Sequence, residues 1–122
     1  MSKRRILYIE DHEDTRELVT MMLQEYGHEV ISDDSSQGAM IRAVEEKFDL
    51  YMLDSWLADG SGLDLCRKLR EFDGHTPILF LSAAAFDSDR EKALQAGAQA
   101  YLTKPCNFSE LGELVTHLMN GG

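Results

Sequence analysis

At 122 residues, 43% of them apolar and 28% charged, the chain has the length and composition of one globular domain, which excludes wholesale disorder. Its formal net charge of −10 argues against a surface for DNA or RNA, since phosphate contact needs clustered Lys and Arg. A cationic partner surface or a bound metal ion suits that charge, as does acidity kept only for solubility.

In chain order, Ile6-Leu7-Tyr8-Ile9 is an apolar run of strand length that ends in an acidic turn, Glu10-Asp11-His12-Glu13-Asp14. Leu18, Val19, Met22, Leu23 and Tyr26 then recur on one face of a helix, which Gly27 stops. Residues 29–32 read as a second strand. Asp34, Ser35 or Ser36 can cap a second helix, with Met40, Ile41, Val44 and Phe48 among its apolar positions. The stretch Asp49-Leu50-Tyr51-Met52-Leu53-Asp54 is a third strand, apolar until it closes on a carboxylate, with Gly60 and Gly62 in the loop beyond. An unpaired buried carboxylate is too costly to keep, so Asp54 belongs where the strand leaves the core.

Leu65, Cys66, Leu69 and Phe72 line a third helix, and residues 74–77 turn the chain into a fourth strand, Ile78-Leu79-Phe80-Leu81, ending on Ser82. Asp87, Ser88 or Asp89 caps a short fourth helix through Ala93, Leu94 and Ala96, closed by Gly97. Residues 100–102 form a brief fifth strand before Thr103-Lys104-Pro105. Ser109 with Glu110 starts the last helix, with Leu111, Leu114, Val115 and Leu118 facing inward. Strand and helix alternate five times with short loops. That pattern predicts an α/β fold, a flavodoxin-like doubly wound five-stranded parallel sheet of order 2-1-3-4-5 with helices on both faces. Residues 1–122 form a single domain with no linker, repeat or low-complexity segment, either alone or cut at a domain boundary after Asn120-Gly121-Gly122.

Cys66 and Cys106 lie far apart and His12, His28, His75 and His117 are scattered, so neither a disulfide framework nor Cys/His metal spacing is indicated. The basic start meets Glu10 and Asp11 too soon for a signal peptide. The longest apolar stretch, 77–86, is broken by Ser82 and falls far short of the roughly 20 residues of a membrane span. A cytoplasmic location is the expectation.

All strands of such a sheet end on one edge, and ligands bind there, at the switch point between the first and third strands. The residues at those ends are Glu10 and Asp11, Asp54, Ser82, and Lys104. Three carboxylates in one crevice repel unless a cation joins them, and Mg²⁺ with its preference for carboxylate and phosphate oxygens is the natural occupant. Lys104 then offers a charge and Ser82 a hydroxyl to a phosphoryl group, and Asp54 can act as the nucleophile that forms an acyl phosphate. Singly, each residue has a plainer reading: a solvated carboxylate, helix N-terminal acids, a commonplace serine, a loop lysine. Their coincidence at consecutive strand ends favours the functional reading. Cys66 and the methionines Met21, Met22, Met40, Met52 and Met119 read as packing, and His12 as a turn residue facing solvent.

Over essentially its whole length the chain resembles the receiver domain of bacterial two-component response regulators. The resemblance rests on Ile-Leu-Tyr-Ile-Glu10-Asp11 with its acidic turn, Leu53-Asp54 followed by Asp59-Gly60-Ser61-Gly62, Leu81-Ser82-Ala83, and Tyr101-Leu102-Thr103-Lys104-Pro105. It implies that Asp54 accepts phosphate from a phosphohistidine on a sensor histidine kinase or histidine phosphotransferase. It also implies that Glu10, Asp11, Asp54 and the backbone carbonyl of Trp56 hold Mg²⁺. Ser82 and Tyr101 would be a switch pair, the hydroxyl moving onto the phosphoryl group as the ring turns inward. Such a domain is a phosphoacceptor that assists its own phosphorylation and dephosphorylation rather than an enzyme. Its output would pass to a downstream effector protein or domain through the face of the fourth helix, fifth strand and fifth helix, which is also a possible dimer surface. Neither nucleic acid nor membrane is an expected direct partner.

Glu10 stands where the family more often has Asp, which lengthens the arm to the metal, and Ala58 where it usually has Pro, which loosens the loop. Trp56 and Ala84 occupy the positions that tune acyl-phosphate lifetime in the family. Two other classes share parts of the pattern. A flavin-binding flavodoxin has the same sheet, but its first loop must cradle a phosphate, which this acidic loop repels. A Mg-dependent aspartyl-nucleophile phosphatase wants a second Asp two residues past the nucleophile, where this chain has Trp56.

Overall fold

The computed structural model describes residues 3–121. Five strands, β1 (Arg5–Ile9), β2 (Glu29–Asp33), β3 (Leu50–Leu53), β4 (Ile78–Ser82) and β5 (Ala100–Thr103), form one parallel sheet. They alternate with the helices α1 (Glu13–Glu25), α2 (Ser36–Glu45), α3 (Gly62–Phe72), α4 (Asp87–Gln95) and α5 (Phe108–Met119). The spatial order β2-β1-β3-β4-β5 is the doubly wound order the sequence pattern predicts. Trp56–Leu57 and Gly60–Ser61 add a small antiparallel hairpin between β3 and α3, which the sequence reading treated as plain loop.

Successive strand residues point to opposite faces, so the apolar runs divide into two cores. Leu7, Ile9, Tyr51, Leu53, Ile78 and Phe80 pack with Ala39 and Ala43 of α2, Leu65 and Leu69 of α3, and Ala93 of α4. On the other face Ile6, Tyr8, Leu50, Met52, Leu79 and Leu81 pack with Val19, Met22 and Leu23 of α1 and Leu111, Val115 and Met119 of α5. Burying each large side chain contributes about 1.5–3 kcal/mol, so these strands bury on both faces what an alternating strand buries on one.

Several local expectations are corrected. The buried face of α2 is Ser36, Ala39 and Ala43 with Met40 partly covered, whereas Ile41 is exposed and Val44 is 68% exposed. The small residues face the sheet, and the branched side chains of this helix face solvent. Leu18, Tyr26, Phe72 and Leu94 are likewise exposed. Of the three candidate caps, Ser35 caps α2, its Oγ accepting from Gly38 N at 3.0 Å. The cap position of α4 is Phe86, before all three candidates, and Asp89 reaches back to accept from Phe86 N at 3.1 Å. Asn107 rather than Ser109 caps α5, its Oδ1 accepting from Ser109 N and Glu110 N at 2.7 and 3.3 Å. In each case a polar side chain satisfies amides that helix geometry leaves unpaired.

Candidate functional site

The parallel ladder carries every strand to the same edge. Asp54 N donates to Ile9 O at 3.2 Å, and Lys104 N donates to Ser82 O at 2.8 Å, so the residues just past β1, β3 and β5 lie side by side with Ser82. Gly62 makes this edge possible at β3, since a Cβ there would run into the Asp54 carbonyl. Glu10, Asp11 and Asp54 each offer a carboxylate oxygen, and these oxygens lie within 4.8 Å of one another. Lys104 Nζ donates to Glu10 Oε1 at 2.6 Å and to Asp54 Oδ2 at 3.1 Å. The two acids and the base brought together by the sheet are thus in direct contact, with Asp11 exposed at the rim.

Glu10 is 1% exposed. Burial lifts its carboxyl above the ordinary range; the Lys104 hydrogen bond works against that lift and the Asp54 charge adds to it. Burial also opposes the Lys104 charge, but its hydrogen bond to Glu10 and the Asp54 charge outweigh that and raise its pKa. The remaining oxygen of Glu10 accepts from His12 N at 3.2 Å, and Arg16 Nη1 donates to the Glu10 backbone carbonyl at 2.9 Å. An all-oxygen set with more acids than bases is the donor chemistry of a hard divalent cation such as Mg²⁺, so the residues fit that group.

Ser82 is fully buried, and its Oγ accepts from Ala84 N at 3.1 Å rather than joining the acid cluster. Tyr101, expected to turn inward on activation, already lies inside. Its ring stacks on Phe80 with centroids 5.9 Å apart, and its hydroxyl donates to Ala84 O at 2.5 Å. The Arg90 guanidinium lies 5.6 Å from the centre of that ring. Trp56 sits in the first arm of the hairpin, paired with Ser61, and is 70% exposed. His12 is exposed as expected, but its ring also caps α1, Nδ1 accepting from Thr15 N at 3.4 Å. A groove of about 550 Å³ opens beside Lys104, lined by Leu18, Val19, Pro105, Cys106 and Phe108 among others.

Sequence reasoning missed two contacts around the site. Tyr8 Oη donates to Glu10 Oε1 at 3.4 Å, a pairing that two-residue strand alternation could have flagged. Asp59 accepts from Ser36 N at 2.8 Å and Gln37 N at 3.0 Å, tying the hairpin to the start of α2, and no spacing rule joins such distant residues.

Among curated proteins, a probable transcriptional regulatory protein of Picosynechococcus sp. is 42% identical over 90% of this chain and 47% of its own length. The KDP operon transcriptional regulatory protein KdpE of Escherichia coli is 36% identical over 87% of this chain and 47% of its own length. The chain spans about half the length of these relatives. A two-component response regulator from Clostridium difficile superposes with a TM-score of 0.92 at 28% identity, covering 97% of both chains. The receiver domain of the sensor histidine kinase PA1611 from Pseudomonas aeruginosa superposes at 0.90 and 28% identity, over 98% of this chain and 99% of its own, and that structure carries a magnesium ion in its active-site cleft. The family described as response regulator receiver domain matches residues 6–116, and with the acid and lysine cluster standing at the strand ends of its parallel sheet, the chain belongs to that family.

Proposed function

We propose that Asp54 is the phosphoacceptor of this receiver domain and takes its phosphoryl group from a phosphohistidine on a sensor histidine kinase or histidine phosphotransferase. The observation that carries the reading is the Lys104 ammonium bound at once to Glu10 and Asp54, which sets a cation beside the nucleophile. An Asp54 carboxylate oxygen bonds to phosphorus as the phosphorus–nitrogen bond breaks, and the departing imidazole nitrogen takes a proton. Lys104 turns from the carboxylates to a phosphoryl oxygen. Ser82, whose Oγ accepts from Ala84 N, keeps its own proton free to donate to another. Glu10, Asp11, Asp54 and the Trp56 carbonyl would hold Mg²⁺, whose charge offsets that of the phosphoryl oxygens. The groove beside Lys104, lined largely by apolar side chains, supports docking of the phosphohistidine-bearing partner on this side of the lysine.

The domain then works as a switch. Contacts of Ser82 and Lys104 with the phosphoryl group favour one arrangement of the α4, β5 and α5 face, and only that difference moves the equilibrium. A downstream effector protein or attached domain reads the face, or a second copy docks on it, in the cytoplasm and without direct contact to nucleic acid. Among the described residues no helix is long and apolar enough to cross a membrane. Incubation with MgCl2 and a small-molecule phosphodonor should raise the intact mass by one phosphoryl group. The gain should vanish in Asp54→Asn and on chelation of the metal; a gain that persists in Asp54→Asn would overturn the assignment. Sustained turnover of a phosphate monoester would instead point to the phosphatase.

A further inference from the structure

Strand β1 sends Ile6 and Tyr8 into the core shared by α1 and α5, and the next side chain on that face is Glu10. A phenol this deep needs a partner for its hydroxyl. Tyr8 is fully buried, and among the described residues its hydroxyl has one hydrogen-bond partner, Glu10 Oε1 at 3.4 Å. That same oxygen accepts from Lys104 at 2.6 Å. Glutamate carries one methylene more than aspartate, so its carboxylate has more positions to lose. Lys104, one of its holds, is also the group that must swing to the phosphoryl oxygen.

We propose that Tyr8 is a positioning residue for the acid cluster, its buried hydroxyl keeping the Glu10 carboxylate on the site when Lys104 leaves it. A tyrosine hydroxyl is protonated at neutral pH, so the group is a donor to the carboxylate. Lys104 and Tyr8 hold the inner oxygen while His12 N holds the outer one, which fixes the longer arm at both ends. The inference rests on reading Glu10, Asp11 and Asp54 as Mg²⁺ ligands.

Calorimetric titration of the metal-free full chain with MgCl2 tests it. Tyr8→Phe keeps the ring in the core and should weaken Mg²⁺ binding about two- to tenfold, the worth of one hydrogen bond. In a Glu10→Asp background the shorter arm cannot reach the hydroxyl, so adding Tyr8→Phe should cause no further loss. An equal loss in both backgrounds would make the effect a general consequence of core change and overturn the proposal, as would no loss in the single variant. Unchanged Mg²⁺ affinity in Glu10→Ala would instead remove the ligand reading beneath it, a separate failure.

Discussion

At Asp73 one carboxylate accepts from the Tyr51 hydroxyl at 2.9 Å, the Thr76 hydroxyl at 2.6 Å, and the His75 and Thr76 amides at 3.0 Å. It closes the turn between α3 and β4 and anchors a ring on β3, which makes it structural rather than chemical. Partial burial works to raise its pKa, but these hydrogen bonds, the Thr76 pair foremost, win and hold the carboxyl well below the ordinary range. The folded state therefore binds the proton more weakly than the unfolded chain does. Its contribution is complete above the unfolded carboxyl pKa of about 4 and is lost as pH falls through the folded value. Asp73→Asn should cost about 1–3 kcal/mol at neutral pH, and the gap from wild type should close in acid. Urea denaturation of both proteins across a pH series checks this; a gap that stays constant below pH 4 would show that the charge is not what matters.

Two helical glycines, Gly62 at the start of α3 and Gly112 within α5, separate backbone from side-chain constraint. A Cβ at Gly62 meets the Asp54 carbonyl, and backbone at the end of a central strand cannot yield cheaply. At Gly112 of α5 the same Cβ meets the ring of Tyr26, which is partly in solvent and can swing aside. Gly62→Ala should therefore cost about 2 kcal/mol or more through overpacking. Gly112→Ala should stay within about 1 kcal/mol of wild type, since an alanine in mid-helix regains about that much propensity. Similar denaturation midpoints for the two variants would contradict this division. The same distinction explains what the sequence disclosed. The element order and strand ends were legible because apolar runs such as Ile78-Leu79-Phe80-Leu81 have a single reading once both faces are buried. The face of α2 was not, because hydrophobicity ranks Ile41 and Val44 above Ala39 and Ala43, while close packing selects the smaller pair. Glu10, Asp54, Ser82 and Lys104 could be placed from strand ends alone. The inward Tyr101 could not, since its position depends on Phe80, Ala84 and Arg90, which no local pattern connects.

At the scale of the molecule, Lys104 ties residues at opposite ends of the chain across the edge of the sheet. Glu10 is withdrawn from water almost entirely, and among the described residues Lys104 is its one ammonium partner, so losing it leaves a buried carboxylate uncompensated. The Lys104 side chain keeps 21% of its surface in water, which reduces the penalty from that of a fully enclosed pair. Lys104→Ala should thus lose about 2–4 kcal/mol of stability in metal-free buffer. The variant leaves Glu10, Asp11 and Asp54 facing one another without the ammonium that bridged two of them. A divalent ion relieves that repulsion in the folded state alone, so saturating MgCl2 should restore more stability to Lys104→Ala than it adds to wild type. Thermal melts of both proteins with EDTA and with MgCl2 read the difference directly. If the metal raised both midpoints equally, the lysine and the ion would not be neutralising the same charges. The pocket would then hold its acids apart by some means other than the ammonium that bridges them.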